Sequence, residues 1–402
     1  MSSSSLRSIP KGDVKLPVIE DDTEIEPTDK YDGPNVNERS RSTSLYKEII
    51  DNGVPSLKRR NNGVSRNLMD CSNHRVYRPI DLEVAYEESK IASQKRRYLS
   101  SEDPKKKYSM KGRSLGQGSV GEVFFATDFL NRKVAIKRLV VVRKGKNREP
   151  LILREIEIIA SSQHPNIVAY IEAFEMKQIG EIWIVMEYMS AGSLFDIVKI
   201  YDTVKMPESH IAFCIHEVLE ALAFLHQRSR IHRDVKVDNI LLHSDGAVKL
   251  ADFGTAVQLT FDRLRRNTLA GTPYYMAPEL IKKADYKEKV DIWSVGITVY
   301  ELVTGVPPYY NLEPHEALTF ISHNGVEGIP TKKNSDDIIN FTNKCCLVKV
   351  PDERKSAKEL LEHPFIETRC PQRDFARWLE SINFLYGRNM DDDSDQWACT
   401  LL

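Results

Sequence analysis

The sequence predicts an α+β protein of two lobes, a small β-rich lobe followed by a larger α-rich one. Three observations carry that expectation. Residues 1 to 107 mix Ser, Asn, Pro and charges with too few apolar residues to bury a core, strand-like runs follow from Tyr108, and the pattern turns mainly helical after Ala191. The length agrees, because 402 residues hold one two-lobed unit with tails at about 100 to 200 residues per domain. With 41% hydrophobic and 29% charged residues the chain reads as folded, which excludes collagen-like and wholly disordered classes. Lys plus Arg number 57 against 58 Asp plus Glu, so a net charge of -1 gives no global pull toward nucleic acid or an anionic membrane.

The elements follow in order. Residues 1–107 are expected to be largely disordered, with one short helix around Asp81 to Gln94. Strands are expected over Glu122–Thr127, Lys133–Val142, Ile167–Phe174 and Glu181–Tyr188, with one helix over Glu149–Ser161. Helices then fall over Ser193–Tyr201, Glu208–Arg228, Glu288–Gly305 and Ala357–Glu362, interrupted by short strands at Ile240–His243 and Val248–Ala251. Residues 367–402 read as a tail with an amphipathic helix near Phe375–Leu385 and an acidic run from Asp391 to Asp395. The start, Met1 to Arg7, has no hydrophobic signal core, and no apolar run approaches the roughly 18 residues of a membrane span, so a cytoplasmic location is expected. Six cysteines without CxxC spacing point to reduced thiols, with Cys345 and Cys346 as buried small apolar residues.

Chemistry enters at Gly116, Gly118 and Gly121, followed by Val123. Three glycines at this spacing occur by chance about once in seven chains this long, so alone they decide little. A strand and not a helix follows them, so the loop would lie over phosphates as a flap whose backbone N–H groups approach the oxygens where no Cβ intervenes. Lys137 ends the apolar run Val134-Ala135-Ile136, and a buried lysine needs a carboxylate. Glu155, expected to face inward with Leu151 and Ile158, supplies one and makes Lys137 an oriented cation for nucleotide phosphates.

The stretch His232, Arg233, Asp234, Lys236, Asn239 decides the class, since five specified residues match by chance in roughly one of ten thousand such chains. Asp234 can accept the proton of an attacking hydroxyl and Lys236 can neutralise a transferring phosphoryl group. Asn239 and Asp252, the latter opening Asp252-Phe253-Gly254, offer hard oxygens to a magnesium ion.

These motifs together with Ala277-Pro278-Glu279, in this order over about 260 residues from Tyr108 to Ile366, resemble the eukaryotic protein kinases. Asp103-Pro104-Lys105-Lys106-Lys107-Tyr108 and Gly271-Thr272-Pro273-Tyr274-Tyr275-Met276 narrow the resemblance to the PAK group of serine/threonine kinases. The resemblance implies a two-lobed protein kinase fold over residues 108–366, ATP and Mg2+ as cofactors, and phosphorylation of Ser/Thr on proteins in PAK-like signalling. It implies Leu115 and Val123 at the nucleotide, Met186 behind the adenine, and Glu187, Tyr188 and Met189 as the hinge that bonds adenine through backbone groups. It also implies that Arg354 pairs with Glu279 and that Asp291 braces the catalytic loop.

Two departures stand out: Tyr275 occupies a position where PAK relatives usually carry Trp, and His74 is the only histidine in the N-terminal region where the GTPase-binding motif carries a spaced pair. A small GTPase partner is therefore an expectation without its motif. Thr268, between Asp252 and Glu279, is expected as a regulatory phosphosite captured by Arg233. Arg265 and Arg266 lie before Thr268, so self-phosphorylation there implies substrates with basic residues upstream, with Asp238 either their partner or a solvated carboxylate. The terminal Cys399-Thr400-Leu401-Leu402 fits prenylation, the one route to a membrane, or is an ordinary tail. A catalytically silent scaffold of the same fold and a GTPase-regulated adaptor are the rival classes.

Overall fold

The computed structural model describes residues 97–117, 121–143, 145–200, 204–259 and 270–385. The expected helix at 81–94, and with it Gly118, Thr268, His74 and Cys399, lies outside the described residues.

The β-rich lobe is a six-stranded sheet of order β1-β7-β8-β4-β3-β2. Its strands are β1 (Leu99–Ser100), β2 (Tyr108–Gln117), β3 (Gly121–Asp128), β4 (Lys133–Val140), β7 (Tyr170–Met176) and β8 (Glu181–Glu187). A small hairpin, β5 (Val142–Arg143) with β6 (Lys146–Asn147), precedes helix α1 (Glu149–Ala160). Alternation along β3 puts Val123 and Phe125 inside, and Ala126 follows them into the core. Strand β4 lies between β3 and β8, with Val123 and Ile184 both opposite Lys137, so the lysine leaves the sheet from its centre. Helix α1 buries Ile152, Leu153, Glu155, Ile156, Ile158 and Ile159.

Leu151 departs from expectation: it is 61% exposed, not inward. Its spacing to Glu155 is helical, but so is that of Ile152, Ile156 and Ile159, and this second arc is richer in apolar area.

The α-rich lobe forms around α5 (Lys289–Thr304), buried almost all round and ended by Gly305 at φ 88, the left-handed capping position. Before it come α2 (Leu194–Val198), α3 (Glu208–Gln227) and α4 (Pro278–Ile281). After it come α6 (Pro314–Asn324), α7 (Asp336–Ile339) continued by a π-helix over Asn340–Cys346, α8 (Ala357–Leu361), α9 (Pro364–Glu367) and α10 (Gln372–Leu385). Short pairs β9 (Arg230–Ile231) with β12 (Val257–Gln258), and β10 (Ile240–Leu242) with β11 (Val248–Leu250), frame the loops that face the other lobe. Buried Cys214 and Cys346 pack in this lobe's core.

Two boundaries differ from the sequence expectation. The helix assigned to the tail is α10, and it buries Phe375, Leu379 and Ile382 in the same core as α3. Residues 97–107, grouped with the core-poor region, carry β1 and a 3-10 turn over Pro104–Lys106 capped by Asp103. Two apolar residues in a charged stretch, Tyr98 and Leu99, are too few to register as periodicity.

Candidate active site

The catalytic loop leaves β9 at Ile231 and is suspended from α5. Asp291, fully buried, accepts the backbone N–H groups of His232 at 3.0 Å and Arg233 at 2.7 Å, and pairs with His226 Nε2 at 2.8 Å. Burial alone would raise the Asp291 carboxyl, but the His226 hydrogen bond and the charges of His226 and His232 hold it below its ordinary value. Arg233 sits at φ 69 and Asp252 at φ 61, left-handed conformations for non-glycine residues that persist only where the surroundings enforce them. His232, also fully buried, contacts the Ala251 carbonyl at 3.0 Å and packs edge-on against Phe253.

This suspension presents Asp234. Its Oδ1 accepts Thr272 Oγ1 at 2.7 Å and Thr272 N at 3.0 Å. Lys236 Nζ donates to Thr272 Oγ1 at 2.9 Å and stands 3.6 Å from Asp234 Oδ2. Asn239 turns its amide nitrogen to Asp234, at 2.8 Å from the carbonyl and 3.1 Å from Oδ2. Its Oδ1 is thereby left buried with no hydrogen-bond partner. Ala251 N donates to the Asn239 carbonyl at 2.8 Å, which sets Asn239 beside Asp252. An orphaned hard oxygen next to a carboxylate fits magnesium, which takes few protein oxygens and completes its shell with water and phosphate.

The other half of the site comes from the β-rich lobe. Lys137 Nζ donates to Glu155 Oε1 at 2.8 Å and Asp252 Oδ1 at 2.9 Å, joining β4, α1 and the strand end after β11. Burial resists the charge on Lys137, yet the two carboxylates overcome it and raise the ammonium's pKa. Burial likewise raises the Asp252 carboxyl, but Lys137 and the Gly254 N–H bring it down to about 2. For Glu155 burial prevails and its carboxyl is raised despite Lys137. Gly254 stands against this cluster: a Cβ there would lie 3.2 Å from Asp252 Oδ1 and 3.5 Å from Glu155 Oε2.

Both halves line one cavity of about 450 Å³, whose walls include Lys137, Glu155, Asp234, Lys236, Asp252 and Thr272. The apolar residues expected at the nucleotide fall in two clusters. Leu115 and Val123 pack with Ala135 and Tyr188, and Met189 packs with Val168, Leu241, Ala251 and Met186. Gly116 pairs with Val123 across β2 and β3, so the glycine loop joins two strands as expected. A Cβ on Gly121 would collide with the Arg138 carbonyl oxygen, so this glycine answers a close backbone approach within the sheet. Glu187 keeps its side chain away from the cavity, on Lys249 Nζ at 2.8 Å and 2.9 Å. Arg354 forks onto Glu279 at 2.6 Å and 2.8 Å.

Asp238 is largely buried on the wall of the same cavity, and burial raises its carboxyl. Near it, in a place the motifs did not reveal, Glu301 of α5 accepts a hydrogen bond from Tyr275 Oη and is raised by burial to about 7. The signal available in sequence was a second carboxylate, beyond Asp291, inside a helix otherwise apolar enough to be buried on every side. Thr272, which touches both Asp234 and Lys236, was noted only as part of a motif.

Comparison with known proteins identifies the family. The protein kinase domain family matches residues 109–366. Relatives include the serine/threonine-protein kinases pakC and pakB of Dictyostelium discoideum, each 44% identical over 285 and 275 residues. Serine/threonine-protein kinase PAK 1 of Mus musculus is 41% identical over 285 residues. The matches cover 70%, 68% and 71% of this chain but only 58%, 32% and 51% of those relatives' own lengths. With its family match spanning well over half of its length, on the fold and the motif positions described above, the chain belongs to the protein kinase family.

Proposed function

We propose that the chain transfers the γ-phosphoryl group of ATP to serine or threonine hydroxyls of proteins, in PAK-like signalling. The observation that carries this reading is the convergence of Lys137, Glu155 and Asp252 with Asp234 and Lys236 on one cavity, Asp234 being bonded in turn to Asn239, whose Oδ1 is unpartnered. Asp234 is the base: Thr272 holds its Oδ1, orienting the carboxylate to receive the proton of the substrate hydroxyl. Lys236 sets a positive charge 3.6 Å from the other oxygen, Asp234 Oδ2, and Lys137, fixed by Glu155, provides another for the nucleotide phosphates. Asn239 Oδ1 and Asp252 would hold Mg2+, which neutralises phosphate charge when bound. Leu115, Val123 and Met189 offer apolar walls for adenine, with hinge backbone at Glu187 and Met189 as its hydrogen-bonding edge, and the loop of Gly116, Gly118 and Gly121 covers the phosphates.

Buried Asp238 supports substrates with arginine upstream of the acceptor, since an acidic group out of water gains most from a guanidinium. Thr268 is proposed as the activating phosphosite. Among the described residues no helix is long and apolar enough to cross a membrane, which accords with action in the cytoplasm unless Cys399 carries a prenyl group. GTPase control rests only on the likeness to PAK-type relatives. The test is a degenerate peptide library phosphorylated by wild type and Asp234→Asn side by side. Ser/Thr transfer enriched for upstream Arg and lost in the variant is expected, and equal transfer by both proteins would overturn the reading.

A further inference from the structure

Leu99 and Ser100 run parallel to Ala173 and Phe174 and so extend the sheet at its β7 edge. The chemistry described above does not use them, yet they are anchored from several directions. Tyr170 Oη donates to the Tyr98 carbonyl at 3.0 Å. Lys107 Nζ bridges Glu102 at 3.0 Å and Glu172 of β7 at 3.2 Å, so the segment after Ser100 is tied back to the same strand. Tyr108, opening β2 at the far end of the strand order, also reaches Glu172, at 2.7 Å. The sheet is therefore curled, and residues 101–107 link its two edges.

The inward side matters more. Tyr98 and Leu99 pack against the cluster formed by Leu139, Ala173, Ile182, Ile184 and two residues of α1, Ile152 and Ile156. Those two flank Glu155 along the helix. At the other end of α1, Arg230 from the α-rich lobe donates to the Ser161 carbonyl at 3.0 Å and to Ser162 Oγ at 2.6 Å. A two-residue strand is marginal by itself, so these side-chain contacts are what keep it in place.

We propose that residues 97–100 form an intramolecular brace for α1, with Tyr98 and Leu99 acting as positioning residues that keep Glu155 on Lys137. Helix α1 is joined to the sheet by side chains of one face and by no ladder of backbone bonds, so its register depends on what fills that face. A buried ion pair tolerates little displacement, because both charges are already out of water. Whatever draws residues 97–100 off β7 therefore weakens the lysine site from a distance.

The test uses the full chain carrying Leu99→Asp, which sets a charge against the Ile152 and Ile156 cluster, with Leu99→Val as the conservative control. Hydrogen exchange of the α1 amides reads the brace without requiring activity, whereas kcat rests on the phosphoryl-transfer reading; a wild type without transfer would sink that reading alone. In Leu99→Asp, α1 exchange should quicken and kcat fall about fivefold or more at unchanged peptide KM, while Leu99→Val stays within about twofold of wild type. Wild-type α1 exchange and kcat in a Leu99→Asp protein whose residues 97–100 exchange as free chain would overturn the proposal. Should that variant fail to fold, Tyr170→Phe decides: it removes one hydrogen bond and keeps the ring, faster α1 exchange supports the brace, and unchanged exchange overturns it.

Discussion

The loop carrying Asp234 hangs on Asp291, a fully buried carboxylate that bonds two successive backbone N–H groups, whereas Lys137 is secured only by two other side chains, one of them on a helix packed by a single face. In the first region backbone and burial fix the geometry. In the second, three elements far apart in sequence must arrive together, since 115 positions separate Lys137 from Asp252. The difference assigns roles. On the proposed function, the loop carrying Asp234 would be the constant part of the site and the lysine cluster the adjustable part, where a displacement disturbs the fold least.

The largest effect comes from removing a group that both regions need. Asp252→Ala should lower kcat about a hundredfold or more at saturating ATP and Mg2+, as should Asp234→Asn, because loss of a base alone costs roughly 10² to 10⁴. Both proteins should keep their melting cooperativity. A rate above about a tenth of wild type for Asp252→Ala would break the comparison at its root.

Next in size is the anchor. Asp291→Ala leaves the His232 and Arg233 N–H groups and His226 without their common acceptor and should cost about 3 kcal/mol of stability, read by denaturant unfolding. Glu155→Gln, on the adjustable side, should change melting far less and act mainly on ATP KM and kcat. Equal destabilisation by the two substitutions would erase the distinction between a fixed and a movable half.

The same distinction explains what the sequence made legible. His232 to Asn239 is contiguous, so the proximity of its members could be read from spacing alone, and the structure keeps His232, Asp234 and Asn239 within hydrogen-bond reach. The Lys137 and Glu155 pairing was legible because a lysine ending an apolar strand demands a carboxylate, and the next helix offered one. Its neighbourhood was not: the arc through Leu151 and the arc through Ile152 obey the same period, and only tertiary packing chooses between them. The β1 brace and the Tyr275 with Glu301 contact were hidden for a related reason, since neither involves residues whose types announce a partner at fixed spacing.

A smaller effect is expected from Thr268, which lies outside the described residues. Arg233 already donates to the Thr255 carbonyl at 2.6 Å and to Tyr286 Oη at 2.9 Å, so a phosphate on Thr268 must share it. Thr268→Ala, pre-incubated with ATP, should be about tenfold less active than wild type treated in the same way. Equal activity of the two would remove Thr268 from the switch and leave α1 placement as the adjustable element.

The smallest effect concerns Glu301, the buried carboxylate that accepts the Tyr275 hydroxyl. Burial raises its carboxyl from an ordinary 4.5 to about 7, with the charge of Asp238 adding and the Tyr275 hydrogen bond and Lys236 opposing. A group whose folded value is raised stabilises the fold most when protonated, so its contribution is complete below about pH 4.5 and is lost as pH rises to about 7. Relative to Glu301→Gln, which cannot ionise, wild type should therefore lose stability across that window with a slope on the order of 1 kcal/mol per pH unit. Parallel stability curves for the two proteins from pH 4.5 to 7 would mean that Glu301 keeps an ordinary carboxyl. If instead the slope is present, an upstream arginine should be selected more sharply at pH 8 than at pH 6, because Glu301 then joins Asp238 as a second negative charge near the acceptor site.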